Sequence, residues 1–237
     1  MADDTEKVRA GWASRGWEWI KSGAVALVLW YLITSLAIQA FRIPSGSMEG
    51  TLLSGDFLFA NKALYGAEIP LIGKRLPAFR EPRRSDIVIF DSATEAGISV
   101  VKRVIGMAGD TLQMEKNVLY RNGRRMDEPY VITDDQPLDP SAPEMRAWQP
   151  RYYIGPNPRS YRPTLKTWGP IVVPPDSFFV MGDNRDNSYD SRYWGFLGRD
   201  RIRGRPMLVY YSFDNDVSAL FPFLTAVRWG RLLTRPS

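Results

Sequence analysis

The sequence predicts a mainly β domain behind one N-terminal transmembrane helix. Three observations predict this class. An uncharged apolar run covers residues 22–41, and short apolar or alternating runs recur after it. The chain also contains 18 prolines and 19 glycines, which is typical of short strands and turns rather than of a helical bundle. With 237 residues there is room for an anchor and one sizeable domain.

The run at 22–41 is long enough to cross a bilayer, because about 20 helical residues at about 1.5 Å each span about 30 Å. Basic residues lie mainly before the run, and Arg42 is the only one in about 20 positions after it. The positive-inside rule therefore predicts that residues 1–21 are cytoplasmic and 42–237 are exported. The alternative is a removable signal peptide, which the length of the run and the isoleucine at position 38 disfavour.

Several runs after the anchor predict strands, because they are rich in β-branched or alternating apolar residues and are bounded by turn residues. Asn122-Gly123 predicts a type I′ hairpin turn. Residues 129–170 lack clear periodicity, which indicates an insertion or subdomain. The tail has Leu220 and Leu224 at helical spacing, and it either lies on a membrane surface or packs on the domain. The strand runs are DFLFANK (56–62), SDIVIFD (85–91), ISVVKRVIGM (98–107), TLQMEKNVLY (111–120), GPIVVP (169–174), SFFVMGD (177–183) and RPMLVYYSF (205–213).

Composition excludes several kinds of site. The chain has no cysteine and no histidine, so a disulfide framework, a thiolate nucleophile, a Ser-His-Asp triad and a histidine-ligated metal are impossible. The net charge is +5, but basic residues are interleaved with acidic ones and no nucleic-acid-binding motif is present, so we expect no nucleic acid partner. The stretch 178–195, which is rich in Asp and Asn, does not fit a calcium loop in any register, and we expect neither a metal nor another cofactor.

Two stretches contain candidate reactive groups. In Ile43-Pro-Ser-Gly-Ser-Met48, Ser47 presents a hydroxyl at a bend, although Ser-Gly-Ser is also an ordinary turn. A serine nucleophile without histidine needs a carboxylate or a neutral lysine as its base. Lys102 lies between β-branched residues, where burial would lower the pKa of its amine; the alternative is a lysine that reaches water or pairs with an acid.

Three stretches together resemble the bacterial type I signal peptidases, which are membrane-bound Ser/Lys endopeptidases that remove signal peptides. IPSGSMEGTLLSGDFLF is similar to the nucleophile box of that family, and SDIVIF with VVKRVIGMAGD is similar to its lysine box. GDNRDNSYDSRYWG is similar to its closing box. The resemblance implies a mixed-β catalytic domain with a smaller inserted β subdomain.

The resemblance also implies roles by position. Ser47 would be the nucleophile and Lys102 the general base. The Ser47 N–H and the Ser45 hydroxyl would form the oxyanion hole, and Ser188 would orient the lysine amine. Residues expected to support the site are Arg103, Gly182, Asp183, Asp190 and Arg192. Residues expected to line the substrate pockets are Ile43, Pro44, Met48, Leu52, Val100 and Val101, with core packing as the alternative, above all for Leu52 and Val101.

The implied substrates are preproteins with a signal peptide, cut after Ala-x-Ala-type sites. The implied location is the bacterial inner membrane, with the catalytic domain periplasmic, in contact with phospholipid and transiently with the translocon. The alternatives are a Ser/Lys maturation peptidase with one dedicated substrate and a non-catalytic tethered β domain. The sequence departs from the family pattern at Gly50, where proline is common, and at Ser85, where glycine is usual. Gly50 is expected to loosen the loop that carries Ser47.

Overall fold

The computed structural model describes residues 2–69, 72–95, 97–133, 138–218 and 220–236, with side chains from Trp17 onward. The described chain is mainly β, as the sequence predicts. Four helices are α1 (Ala2–Leu36), α2 (Pro143–Trp148), α3 (Ser191–Trp194) and α4 (Pro222–Thr225). The strands are β1 (Ile38–Arg42), β2 (Asp56–Asn61), β3 (Ile87–Asp91), β4 (Ser99–Met107), β5 (Thr111–Glu115), β6 (Val118–Arg121), β7 (Arg124–Arg125), β8 (Trp168–Val172), β9 (Ser177–Met181), β10 (Leu197–Gly198) and β11 (Ile202–Ser212).

Helix α1 includes an apolar segment, Trp17–Leu36, that is long enough to cross a membrane. The helix ends at Leu36, whereas the uncharged run continues to residue 41. Residues 38–42 instead form β1, which pairs with β2 in an antiparallel register. The uncharged run therefore contains both the apolar helix and the first strand of the domain. Hydropathy alone did not separate them, because both segments are apolar.

A seven-stranded sheet in the order β1-β2-β11-β3-β4-β9-β10 forms the larger part of the domain. Every neighbouring pair in it is antiparallel. Two clusters of buried apolar side chains pack against this sheet, one around Leu58 and Ile89 and the other around Phe90 and Val180. This packing fixes the relative positions of β1, β3 and β4.

A second sheet in the order β7-β6-β5-β8 packs around Leu112, Trp168 and Phe179. The sequence placed the subdomain at 129–170, but most of this sheet precedes that range. The run at 111–120 is two strands rather than one, because Lys116 and Asn117 both adopt positive φ angles and make a turn. Asn122 and Gly123 also have positive φ angles, 54° and 75°, which confirms the hairpin turn between β6 and β7.

Of the two alternatives that the sequence left open for the tail, the structure bears out packing on the domain, and only for the last part of the tail. Leu220 and Leu224 are 88% and 68% exposed. By contrast, Thr234 forms a bridge to Val209 within β11, and Val227 forms a bridge to Phe213 just after it. The first part of the tail is therefore exposed, and the last part packs on the sheet.

Candidate active site

Ser47 lies on a short 3₁₀ helix, Gly46–Met48, that follows β1. Ile43 extends the pairing of β1 with β2, because its N–H donates to the Asp56 carbonyl and its carbonyl accepts from the Gly55 N–H. Met48 is buried below the helix, and the Ser47 side chain is half-buried. The serine is thus presented at the end of an ordered strand, and the first N–H groups of such a helix have no partner within it.

Lys102 lies at the centre of β4 and is 2% exposed. Its Nζ is 2.5 Å from the Ser47 Oγ, so the two side chains are in direct hydrogen-bonding contact. Burial lowers the pKa of Lys102 from 10.5 to about 8, and the nearby Arg192 guanidinium acts in the same direction against the carboxylates of Asp190 and Asp183. An amine with this pKa is readily deprotonated close to neutral pH, which a proton acceptor requires.

Ser45 and Ser188 lie near the contact between Ser47 and Lys102. The Ser45 Oγ is exposed and 3.5 Å from the Ser47 Oγ. Ser188 is 6% exposed, and its Oγ lies beside the Asp190 carboxylate without a hydrogen bond of good geometry. A Cβ atom at Gly182 would stand 2.3 Å from the Ser188 Oγ and 2.4 Å from the Ser47 carbonyl oxygen. Only a glycine at 182 therefore lets the closing stretch pack so closely against the serine helix.

Arg103 is the neighbour of Lys102 on β4 and forms a buried ion pair with Asp183. Its Nε and Nη2 donate to the two carboxylate oxygens at 2.8 and 2.7 Å, and its guanidinium lies 3.8 Å from the Tyr130 ring centroid. The Thr51 hydroxyl donates to the same carboxylate at 2.7 Å. The pair thus ties β4 to the residues that follow the serine helix. Sequence reasoning missed Thr51, although it lies in the quoted nucleophile stretch.

Asp190 and Arg192 form a second buried pair at the start of α3. Burial alone would raise the pKa of Asp190, but the facing Arg192 guanidinium holds it below its usual value. Asp190 also accepts a hydrogen bond from the Gly182 N–H at 3.1 Å. The five residues expected to support the site are thus brought together around the stretch 182–192 and the centre of β4.

The two departures from the family pattern have a conformational explanation. Gly50 has a φ of 97°, which proline cannot adopt because its ring fixes φ near about −65°. Ser85 has a φ of 68°, in the left-handed region that favours glycine. Position 85 therefore retains the backbone that glycine would allow, and position 50 has a backbone that proline would forbid.

A cleft of about 370 Å³ opens in front of Ser47 and Lys102. Its walls are the end of β1 with the following residues and the first half of β4. Five of the expected pocket residues line it: Ile43, Pro44, Met48, Val100 and Val101. The expectation that Leu52 lines the pocket is wrong, because Leu52 does not line this cleft and lies fully buried in the apolar cluster around Leu58.

Other residues of the cleft were not anticipated. Phe90, Tyr189 and Trp194 contribute aromatic surface, and residues 92–95 of the turn after β3 form part of the rim. Tyr189 lies next to Ser188 in the closing stretch, so its position in the sequence was a usable signal. Phe90 and the turn carry no such signal, because only the pairing of β3 with β4 places them at the cleft.

A family model described as signal peptidase, peptidase S26, matches residues 16–211. The chain belongs to this family. The resemblance that the three stretches indicate is confirmed, and this S26 peptidase is a serine endopeptidase.

Signal peptidase I of Pseudomonas aeruginosa is 34% identical to this S26 peptidase over 231 residues, covering 89% of this chain and 78% of that protein. Signal peptidase I of Aquifex aeolicus is 33% identical and covers 84% of this chain and 88% of its own. A crystal structure of a signal peptidase I from Enterococcus faecalis is 30% identical and covers 54% of this chain and 98% of that chain, with a TM-score of 0.36.

Proposed function

We propose that this peptidase removes N-terminal signal peptides from exported preproteins, with Ser47 as nucleophile and Lys102 as general base. The single observation that carries the proposal is the 2.5 Å contact between a buried lysine amine and the serine hydroxyl. The names of the relatives support the substrate class, because they are signal peptidases I. Cleavage after small residues, as at Ala-x-Ala sites, belongs to the same proposal.

The proposed reaction has two steps. In the first, neutral Lys102 accepts the Ser47 proton while Oγ attacks the scissile carbonyl carbon, and the resulting oxyanion receives hydrogen bonds from the Ser47 N–H and the Ser45 hydroxyl. When the C–N bond breaks, the Lys102 ammonium returns the proton to the leaving amine. In the second step, Lys102 deprotonates a water molecule that attacks the acyl-enzyme carbonyl, and the Lys102 ammonium then returns the proton to the Ser47 Oγ as the ester bond breaks and the acid product leaves. Ser188 orients the amine in its neutral form.

The substrate is proposed to bind as an extended strand in the cleft. Two strand edges that border the cleft support this, because in the described chain β1 pairs only with β2, and residues 99–102 of β4 pair only with β3. Their free N–H and C=O groups provide the hydrogen bonds that an added strand needs. Ile43, Met48 and Val101 provide apolar surface for small side chains.

We also propose that α1 anchors the enzyme, with residues 1–21 in the cytoplasm and 42–237 in the periplasm. The apolar segment Trp17–Leu36 supports the anchor, and the Lys62 N–H donates to the Ala37 carbonyl and so fixes the end of the helix to β2. Exposed apolar side chains in the tail, including Phe221 and Leu224, support contact with phospholipid. In this arrangement Ser47 would lie near the periplasmic face of the inner membrane, where transient contact with the translocon would deliver substrate.

The proposal is tested by cleavage of a preprotein in lipid vesicles by the wild type and by Ser47→Ala and Lys102→Ala. Each variant should lose at least about 1000-fold in rate while its circular dichroism spectrum stays unchanged. Lys74→Ala removes an exposed lysine and should leave the rate unchanged. Turnover of Lys102→Ala at the wild-type rate would refute the lysine base. Cleavage of one preprotein from a varied panel would indicate a dedicated maturation peptidase instead.

The pH dependence tests the base independently. Because burial lowers the pKa of Lys102 to about 8, kcat/KM should rise with pH and level off above an apparent pKa near that value. A lysine in water would instead give a rise that continues toward about 10.4. A rate that increases up to that pH would contradict a buried base.

A further inference from the structure

The C-terminal segment after α4 folds back over the loop that connects the serine helix to β2. We call residues 227–234 the C-terminal strap. The Leu233 N–H donates to the Val209 carbonyl at 2.8 Å, and the Val209 N–H donates to the Thr234 carbonyl at 2.9 Å. The strap lies beyond residues 16–211, which the family model matches. None of the motifs that identify the family assigns it a role.

Two strap arginines contact the loop between the serine helix and β2: the Arg228 Nη1 donates to the Ser54 carbonyl at 2.7 Å, and Arg231 makes the larger set of contacts. Its Nε donates to the Asp56 Oδ1 at 2.9 Å and its Nη2 to the Asp56 Oδ2 at 2.5 Å. The same Nη2 lies 3.0 Å from the Thr51 carbonyl oxygen. Asp56 is fully buried, and it also accepts the Leu53 N–H at 2.8 Å. One guanidinium thus fixes both ends of the loop between the serine helix and β2.

Thr51 links this contact to the reacting groups. Its N–H donates to the Met48 carbonyl at 3.1 Å, which joins it to the serine helix. Its hydroxyl donates to Asp183, the partner of Arg103, and Arg103 adjoins Lys102 on β4. Thr51 is therefore held from one side by the strap and from the other by the buried ion pair beside the lysine.

The residue that precedes Thr51 gives the loop little backbone restraint of its own. Gly50 has a φ of 97° and no side chain to restrict its backbone. The ion pair of Arg231 with Asp56 restrains the loop from outside.

We propose that Arg231 is a positioning residue that holds the loop 49–56, and through it Ser47, at hydrogen-bonding distance from Lys102. This inference rests on the proposed function. Arg231 does not line the substrate cleft, so its loss should affect kcat rather than KM. A displacement of about 1 Å at a reacting group costs up to about 100-fold in rate.

The test compares preprotein cleavage by wild type, Arg231→Gln, Arg231→Lys and Arg235→Gln at a temperature where circular dichroism shows each protein folded. Arg231→Gln should lower kcat by about 10- to 100-fold with KM within about twofold of wild type. Arg231→Lys should recover part of the loss, because an ammonium can pair with Asp56 but lacks the planar fork of donors. Arg235→Gln, an exposed arginine four residues away, should match wild type.

The outcomes separate the two proposals. If the wild type cuts the preprotein and the kcat of Arg231→Gln is within twofold of the wild-type value, the role of Arg231 is overturned while the proposed function stands. Equal losses in Arg231→Gln and Arg231→Lys, or a rise in KM with unchanged kcat, would also overturn it. If Arg231→Gln does not fold, Arg231→Lys is judged by the same split between kcat and KM. A wild type that cuts no preprotein overturns the proposed function and this inference with it.

Discussion

The two faces of β4 bury neighbouring basic residues in opposite ways. Lys102 and Arg103 are each 2% exposed. Lys102 contacts the neutral hydroxyl of Ser47, and its pKa falls because burial disfavours the ammonium. Arg103 instead contacts the carboxylate of Asp183 through two hydrogen bonds, and a guanidinium stays charged. The partner and the intrinsic basicity of the side chain, rather than burial alone, therefore decide whether a buried basic residue becomes reactive or structural.

The largest effect on stability is expected when the ion pair between Arg103 and Asp183 is broken. Asp183→Asn leaves a buried guanidinium without its carboxylate, so we expect a loss of about 3–5 kcal/mol in the free energy of unfolding, measured by urea titration. Asp127→Asn, at an exposed aspartate, should change stability by less than about 0.5 kcal/mol. The double variant Arg103→Met with Asp183→Leu should recover part of the loss. Equal stability of Asp183→Asn and wild type would show that the pair does not balance the burial of Arg103.

A slightly smaller effect on stability is expected when Lys102 is replaced. Below pH 8 the folded protein holds a buried ammonium, and the pKa difference between 10.5 and about 8 corresponds to about 3 kcal/mol of destabilisation. Lys102→Met should therefore be more stable than wild type at pH 7 by up to this amount. Between pH 8 and 10.5 the folded state loses the proton before the unfolded state does, so the advantage should shrink as pH rises. Parallel stability curves for the two proteins across this range would contradict the lowered pKa.

The smallest effect concerns the backbone that supports Arg103. The Ser85 carbonyl accepts a hydrogen bond from the Arg103 Nη1 at 3.1 Å, and Ser85 has a φ of 68°. Ser85→Gly retains this carbonyl and removes the strain of a left-handed serine, so the free energy of unfolding should rise by about 0.5–1 kcal/mol. Ser99→Gly, in a strand, should lower it by a similar amount. A loss of stability in Ser85→Gly would show that its side chain matters more than its backbone.

The local sequence predicted the structure correctly where the pattern of apolar residues was enough to specify a strand. The strands at 56–61, 87–91 and 99–107 follow their apolar patterns closely, since a buried strand needs little beyond a suitable run of side chains. The same patterns failed at 38–42, where an apolar strand follows an apolar helix without a break, and at 116–117, where two residues without glycine or proline make the turn. Leu52 was assigned to the pocket in error, because the sequence alone does not distinguish a leucine that lines a pocket near a nucleophile from one that packs in the core.

The sequence by itself determined the class of chemistry and the family. A chain without histidine or cysteine leaves few bases for a serine, and three motifs in order identify a signal peptidase. Only the tertiary structure decided that Lys102, 55 residues after Ser47, lies against its hydroxyl, that Thr51 joins the Arg103 pair, and that the C-terminal strap reaches the serine loop. These contacts depend on strand pairing and on the loss of water around charged groups, and neither is encoded in any local stretch of residues.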